Sequence, residues 1–341
     1  MIPYIIFIIL ILWFRHIKKP FCIYVTLVLF SVLRYNTGWD YMSYVDEIEY
    51  WGTAGSNMEH YSVLWQWFFE YAHRINMPHL AISIIGFITI TIIYYVVNKL
   101  CQKKWLICDV LTIYAVWPFF YLGTFSTIRQ SLAIAIGLLV LYYSLRKNIK
   151  CFIIALIINY FIHPSSVVCV CYFAFLFTQF KLKLWHLLII ISLAIITLYS
   201  IELILQNSLL SIYGHYLSTS DSYGSKLSIL LMIILIPMFF LRNKNKIDTG
   251  LVDFCIISFV LTIITYLGLK ISVITRIVDY YSILLIFIAP NFKYFFNNKK
   301  LGHALVITAF IGVFFYYLIS TKGAVNQGLA MSPYVPYQFI F

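Results

Sequence analysis

An all-α, polytopic transmembrane helical bundle is the fold class this sequence predicts, and three observations carry it. Of 341 residues, 62% are hydrophobic and only 11% are charged, less than half the charged share of an ordinary soluble domain. Apolar runs recur that approach the length needed to cross about 30 Å of hydrocarbon. Between them, at alternate turns, stand six short basic clusters: Arg15/Lys18/Lys19, Lys99/Lys103/Lys104, Arg146/Lys147/Lys150, Lys181/Lys183, Arg242/Lys244/Lys246 and Lys293/Lys299/Lys300. Basic residues gather in cytoplasmic turns, so the clusters orient the chain as well as divide it. They hold 17 of the 24 Lys and Arg residues, which accounts for the net charge of +12. The remaining charge forms no basic face, which excludes a nucleic-acid partner.

The elements follow in order. Candidate spans are 2–14, 21–33, 79–97, 105–122, 127–145, 151–162, 164–180, 185–201, 226–241, 251–269, 279–292 and 302–320. Several are short for a crossing, so the expected count is about 10–12. The opening run MIPYIIFIILILWF has no basic stretch before it and no small-residue cleavage pattern. It reads as a retained first span with its N-terminus outside. Residues 34–78 form the first large external loop, acidic through Asp40, Asp46, Glu47, Glu49 and Glu59. Within it, 63–75 is too short and polar to span, and Trp65, Trp67 and Phe69 predict an interfacial helix. Two crossings between 151 and 180 are expected to meet at His163-Pro164-Ser165-Ser166. Pro164 has no N–H and disfavours an α conformation at His163. A second external loop spans 202–225, and 321–341 is an external tail. Residues 1–341 read as a single integral membrane domain in contact with the lipid bilayer.

The chemistry-bearing residues are few. Seven cysteines fall in spans or at their cytoplasmic ends, so no disulfide framework is predicted. Cys169 and Cys171 have no partner pair or histidine, which favours packing over metal binding. No nucleotide-binding loop, dinucleotide fingerprint, zinc-protease pattern or lipase nucleophile elbow occurs. An energy-coupled pump and a standard lipase are thereby unsupported. Arg34, Arg129, His163 and Arg276 come from four separate regions, yet topology puts all four at the outer membrane face. A lone arginine there snorkels to headgroups at little cost. Four together against the positive-inside trend point to a polyanion site. Arginine's rigid fork matches phosphate oxygens, and Trp39, Tyr41, Tyr44, Trp51 and Tyr61 offer apolar faces suited to sugars. Asp40 and Glu59 have the chemistry to orient or deprotonate a hydroxyl.

The segment Arg34 to Tyr41 (RYNTGWDY) with Tyr44, Glu59 in EHYS, Arg129-Gln130, His163-Pro-Ser-Ser and Arg276 through Tyr280 resembles the EpsG/Wzy family of membrane polysaccharide polymerases, which serve O-antigen, capsule and exopolysaccharide assembly. The likeness runs from about residue 30 to the PYVPY tail. In that family an Arg-x-x-x-Gly-x-Asp-Tyr pattern opens the first external loop, met here by Arg34, Gly38, Asp40 and Tyr41. Where the family often carries a Glu-Pro-Gly-like element, this chain has Glu59-His60-Tyr61-Ser62.

The resemblance implies a glycosyltransferase that joins undecaprenyl-pyrophosphate-linked oligosaccharide repeats at the outer leaflet of a bacterial cytoplasmic membrane. The scheme requires no cofactor and no metal, and a chain-length regulator is an expected partner. In it, Arg129 and Arg276 clamp pyrophosphate, and Arg34 either joins them or holds Asp40. Asp40 and His163 compete as base, while Trp39, Tyr41, Tyr44, Glu59, Gln130, Ser165 and Tyr280 contact sugar or support the site. An O-antigen ligase-like transferase, an external acyltransferase with His163 as base, and a lipid-linked glycan flippase or transporter are the alternative readings.

Overall fold

The computed structural model describes residues 1–53, 61–174, 224–243, 248–265, 272–325 and 333–340, with four isolated positions between 185 and 196. Glu59, the loop 202–225 up to residue 223, and most of the expected span 185–201 lie outside these residues. The chain is an all-α membrane bundle. Three helices are long and apolar enough to cross a bilayer, Pro78–Leu100, Ile128–Leu145 and Lys299–Ser320, and six shorter apolar helices accompany them among the described residues. It divides into two compact units, one of residues 1–170 and 304–341, the other of 171–303.

The first unit begins with α1 (Ile2–His16) and α2 (Pro20–Val32), each with proline in its first turn, where the missing N–H has no intrahelical partner to lose. A two-residue strand, β1 (Arg34–Tyr35), leads into the short helix α3 (Tyr41–Glu49). Next come α4 (Val63–Arg74), the long α5 (Pro78–Leu100) and α6 (Lys104–Val116). The expected span 105–122 stops early: after α6 the chain turns at Trp117 into the four-residue α7 (Gly123–Ser126), then α8 (Ile128–Leu145) and α9 (Ile149–Ile162). The α5, α8 and α9 helices pack in sequence, while α1, α2 and α6 form a second group joined to α5 through α2. Arg15 closes a 2.7 Å ion pair on Asp109, tying the end of α1 to α6.

At Pro164 the expected span 164–180 begins as a 3₁₀ segment, Pro164–Phe173. The break leaves carbonyls at the end of α9 without helical donors. Two residues at the start of α4 supply them: Ser62 Oγ donates to the carbonyl of Phe161, and Trp65 Nε1 donates to that of Ile162 at 2.7 Å. Helix α4 therefore exists where the sequence predicts it. Its inner face carries Trp65, Phe69 and Ala72, while Leu64, Trp67 and Tyr71 on the other face are exposed.

In the second unit, α10 (Gly224–Asn243) and α11 (Thr249–Ile264) are held by an Arg242–Asp253 ion pair whose carboxylate is fully buried. The expected continuous span 279–292 is broken. It divides into α12 (Ser272–Ser282), the four-residue α13 (Leu285–Ile288) and a 3₁₀ segment Ala289–Phe295 that includes Pro290. Tyr172, Phe254 and Tyr281 pack as a ring triad, with centroids 5.1–5.7 Å apart.

The first unit is completed by α14 (Lys299–Val325), whose Phe314 meets Tyr4 and Phe7 of α1. Residues 333–340 then return to the beginning of the first loop. There β2 (Gln338–Phe339) pairs antiparallel with β1, with Arg34 opposite Phe339 and Tyr35 opposite Gln338. Tyr334 and Tyr337 are buried by this return. All seven cysteines are free thiols.

Candidate functional site

The loop after α2 is shaped by one glycine. Gly38 has φ +119, and its N–H donates to the carbonyl of Pro333 at 2.5 Å. A Cβ there would lie 2.5 Å from the carbonyl carbon of Phe125, and closer still to its oxygen. Only glycine fits both the dihedral and the space. The next N–H, of Trp39, donates to Ser126 Oγ at 2.9 Å, and that hydroxyl also pairs with Tyr334 at 2.8 Å. Loop, α7 and tail thus meet at one point. Asp40 follows as the N-cap of α3, half-exposed.

Arg34 lies beneath this turn. Its side chain is 1% exposed. One terminal nitrogen donates to both the carbonyl and the hydroxyl of Ser31, the hydroxyl at 2.9 Å, and the other reaches the Thr124 carbonyl at 3.4 Å. The guanidinium sits 4.7 Å over Phe125 and 5.6 Å from Tyr41. Gly86 on α5 leaves room for it, since a Cβ there would fall 3.4 Å from Nη1. Burial holds its pKa below the ordinary arginine value, against the opposing pull of the surrounding phenols, Tyr41 foremost. Expected as a clamp or as a holder of Asp40, Arg34 here makes its hydrogen bonds to Ser31 and Thr124, within the scaffold.

Arg129 is placed differently. It opens α8 and is half-buried. Its Nε donates to the Tyr44 hydroxyl at 3.3 Å, and its guanidinium lies 4.4 Å over the ring of Tyr61 and 6.0 Å from that of Tyr44. Both terminal amino groups of Arg129 are without an acceptor among the described residues. Phe69 on α4 supports the arrangement from behind: its ring meets Tyr61 at 5.0 Å, Trp65 at 5.5 Å, Trp51 at 5.7 Å and Tyr44 at 6.2 Å. Burial raises the Tyr44 phenol pKa and pushes that of Tyr61 to about 12, although Arg129 pulls both the other way. Asp40 acts on both phenols electrostatically, and Glu47 on Tyr61. The Arg129 guanidinium thus lies against an aromatic cluster whose phenols also feel the charges of Asp40 and Glu47.

The same turn of α3 carries a second contact. Tyr41, fully buried, donates to the carbonyl of Arg34 at 3.3 Å and lies 3.0 Å from His79 Nδ1 at the start of α5. The His79 ring also packs 5.0 Å from Tyr35. His163, at the C-cap of α9, receives the Ser165 hydroxyl at 2.7 Å and the Ser165 backbone N–H at 3.4 Å, both on Nδ1. Gln130 is buried, and Trp39 is 52% exposed.

Arg34, Trp39, Asp40, Tyr41, Tyr44, Gln130 and Arg129 thus converge around α3, α7 and the start of α8, while His163 and Ser165 pair at the end of α9. Arg276 and Tyr280 belong to the second unit. Arg276 is exposed on α12, three residues before Asp279, whose carboxylate it attracts. Tyr280 is buried, and its carbonyl accepts from Tyr172 at 2.7 Å. The sequence reading omitted His79 and Ser126, and took Phe69 only as part of an interfacial helix. His79, a single imidazole at the start of an apolar run, becomes legible only through its contact with Tyr41.

A half-buried arginine backed by aromatic rings in a helical membrane bundle has a donor set that matches anionic oxygens. The chain belongs to the EpsG family, whose model matches residues 17–339. That family includes Wzy-type polysaccharide polymerases, and membership points to a glycosyltransferase-like, polysaccharide polymerase-type function. No curated protein and no solved structure matches the chain.

Proposed function

We propose that this chain polymerises undecaprenyl-pyrophosphate-linked oligosaccharide repeats at the external leaflet of a bacterial cytoplasmic membrane. The growing glycan passes from its lipid pyrophosphate to a sugar hydroxyl of the next lipid-linked repeat. The observation that carries this reading is Arg129: it is fixed through Nε and backed by Tyr61, and its two terminal amino groups have no acceptor among the described residues and match an anion. Two parallel N–H donors match two phosphate oxygens, and they bind the leaving pyrophosphate more strongly as its charge grows. Asp40, beside the same phenols, orients the acceptor hydroxyl. Exposed Trp39 offers a sugar-stacking face next to it. Arg276 is a second candidate clamp, tested by its own alanine variant.

The experiment is complementation of a deletion strain with wild type or Arg129→Ala, at matched membrane abundance. Wild type restores the polymer ladder, and Arg129→Ala leaves single repeats. A variant with normal polymer overturns the clamp. Loss of externalised repeat from the deletion strain favours a flippase, and polymer that merely fails to attach favours a ligase.

A further inference from the structure

The transfer proposed above releases a proton from the acceptor hydroxyl, and Arg129 cannot take it. Two imidazoles of the first unit have ring protons whose positions follow from their partners. A tyrosine hydroxyl has one hydrogen. The carbonyl of Arg34 only accepts, so both Tyr41 contacts are hydrogen bonds when the phenol hydrogen goes to that carbonyl and the ring donates across the 3.0 Å contact. In that arrangement His79 carries its proton on Nδ1 and presents a lone pair at Nε2. At His163 the order is reversed. A backbone N–H only donates, so Nδ1 of His163 accepts from Ser165 and the ring proton sits on Nε2. The neutral rings are opposite tautomers: Nε2 of His79 can accept a proton, and Nε2 of His163 can only give one.

Placement agrees with this. Tyr41 and Tyr44 are three residues apart on α3, which sets their Cβ atoms about 5–6 Å apart on one side of the helix. One turn of α3 thus fixes His79 through Tyr41 and Arg129 through Tyr44, with Asp40 at its start. The ring is held from two directions, by Tyr35 on β1 and Tyr41 on α3.

We propose that Nε2 of His79 is the proton acceptor of the glycosyl transfer, which rests on the polymerase reading. The acceptor hydroxyl oxygen bonds to the anomeric carbon of the donor glycan. The bond from that carbon to the pyrophosphate oxygen breaks, and the lipid pyrophosphate departs with the electron pair. The hydroxyl proton passes to Nε2, and the imidazolium then returns it to water.

The test uses membranes of the full-length chain supplied with lipid-linked repeat, at matched abundance. A positioned base is worth about 10²–10⁴-fold in rate. His79→Ala is expected to lose turnover on that scale with little change in KM, and imidazole in the buffer is expected to restore part of it. His79→Gln, which keeps the bulk and a donor for Tyr41 but cannot take a proton, is expected to stay slow with or without imidazole. Near-normal turnover in either variant overturns the assignment, as does a His79→Ala loss that imidazole leaves untouched. Should wild type make no polymer, the polymerase reading itself falls. Should wild type polymerise, Arg129→Ala fail and the His79 variants work, only His79 is excluded.

Discussion

Gly38→Ala tests the turn on which the whole loop depends. At φ +119 an alanine is held in a region that costs a non-glycine residue of order 1–3 kcal/mol. Its methyl also meets the Phe125 carbonyl inside contact distance, and overpacking of that kind costs about 1–3 kcal/mol more. Relief by moving Phe125 is expensive, because that ring lies under the buried guanidinium of Arg34. Together the penalties come to roughly 2–6 kcal/mol. Drawing the turn away also strains the bond from Gly38 to Pro333 and that from Trp39 to Ser126. The assay is a thermal melt in detergent, run beside polymer output from complemented cells. The control is Gly312→Ala on α14, where an added Cβ meets nothing within 4 Å and a helix gains about 0.5–1 kcal/mol from alanine. A Gly38→Ala protein that melts with wild type and still makes polymer would refute the close approach of loop and α7.

Four further outcomes are expected. Tyr61→Phe keeps the face under Arg129 and holds activity within a few-fold. Tyr61→Leu removes a cation–π contact worth about 0.5–2 kcal/mol and lowers turnover roughly 2- to 30-fold, measured as polymer synthesis at matched abundance. Arg242→Ala strands the buried Asp253 carboxylate and destabilises by about 3–5 kcal/mol, whereas replacing both partners with leucine recovers most of the loss in a detergent melt. The phenols of Tyr41 and Tyr61 lie at about 12 in the fold, against about 10 in an unfolded chain. The folded state then binds the extra protons, so their contribution is complete below pH 10 and declines as pH rises from 10 towards 12, as phenolate absorbance recorded with melting would show. Trp65→Phe removes the donor to the Ile162 carbonyl, costing about 1–3 kcal/mol and loosening α4, visible as faster hydrogen exchange there.

Much of this architecture was legible because hydrophobic length and charge placement are local properties. Helices α2, α5, α8 and α9 start and stop within three residues of the expected bounds, and Pro164 marked its own break. The span at 279–292 was misread because hydropathy sums residues without asking where the backbone turns. Arg34 shows a different limit. Its position after a span suggested exposure, but its surroundings come from Ser31, Tyr41, Thr124 and Phe125, with the tail folding back beside it. No local window joins residue 34 to residue 339. Tyr44 and Arg129 were both recognisable as site residues, yet the contact between them spans 85 positions. His79 was overlooked because a single imidazole in an apolar run carries no signal until Tyr41 is known to face it.

The pairing of β2 with β1 sets a timetable for biosynthesis. The carbonyl of Leu33 accepts from the N–H of Ile340, and the hydroxyl of Tyr4, in α1, donates to the carbonyl of Tyr334. Helix α1 therefore waits for neighbours some 330 positions downstream. A nascent chain can insert its spans in order, yet the ground beneath Gly38 and Asp40 is unfinished until residue 340 has left the ribosome and been delivered to them. A chain cut before residue 333 would keep every described helix and lose the tail that closes this turn.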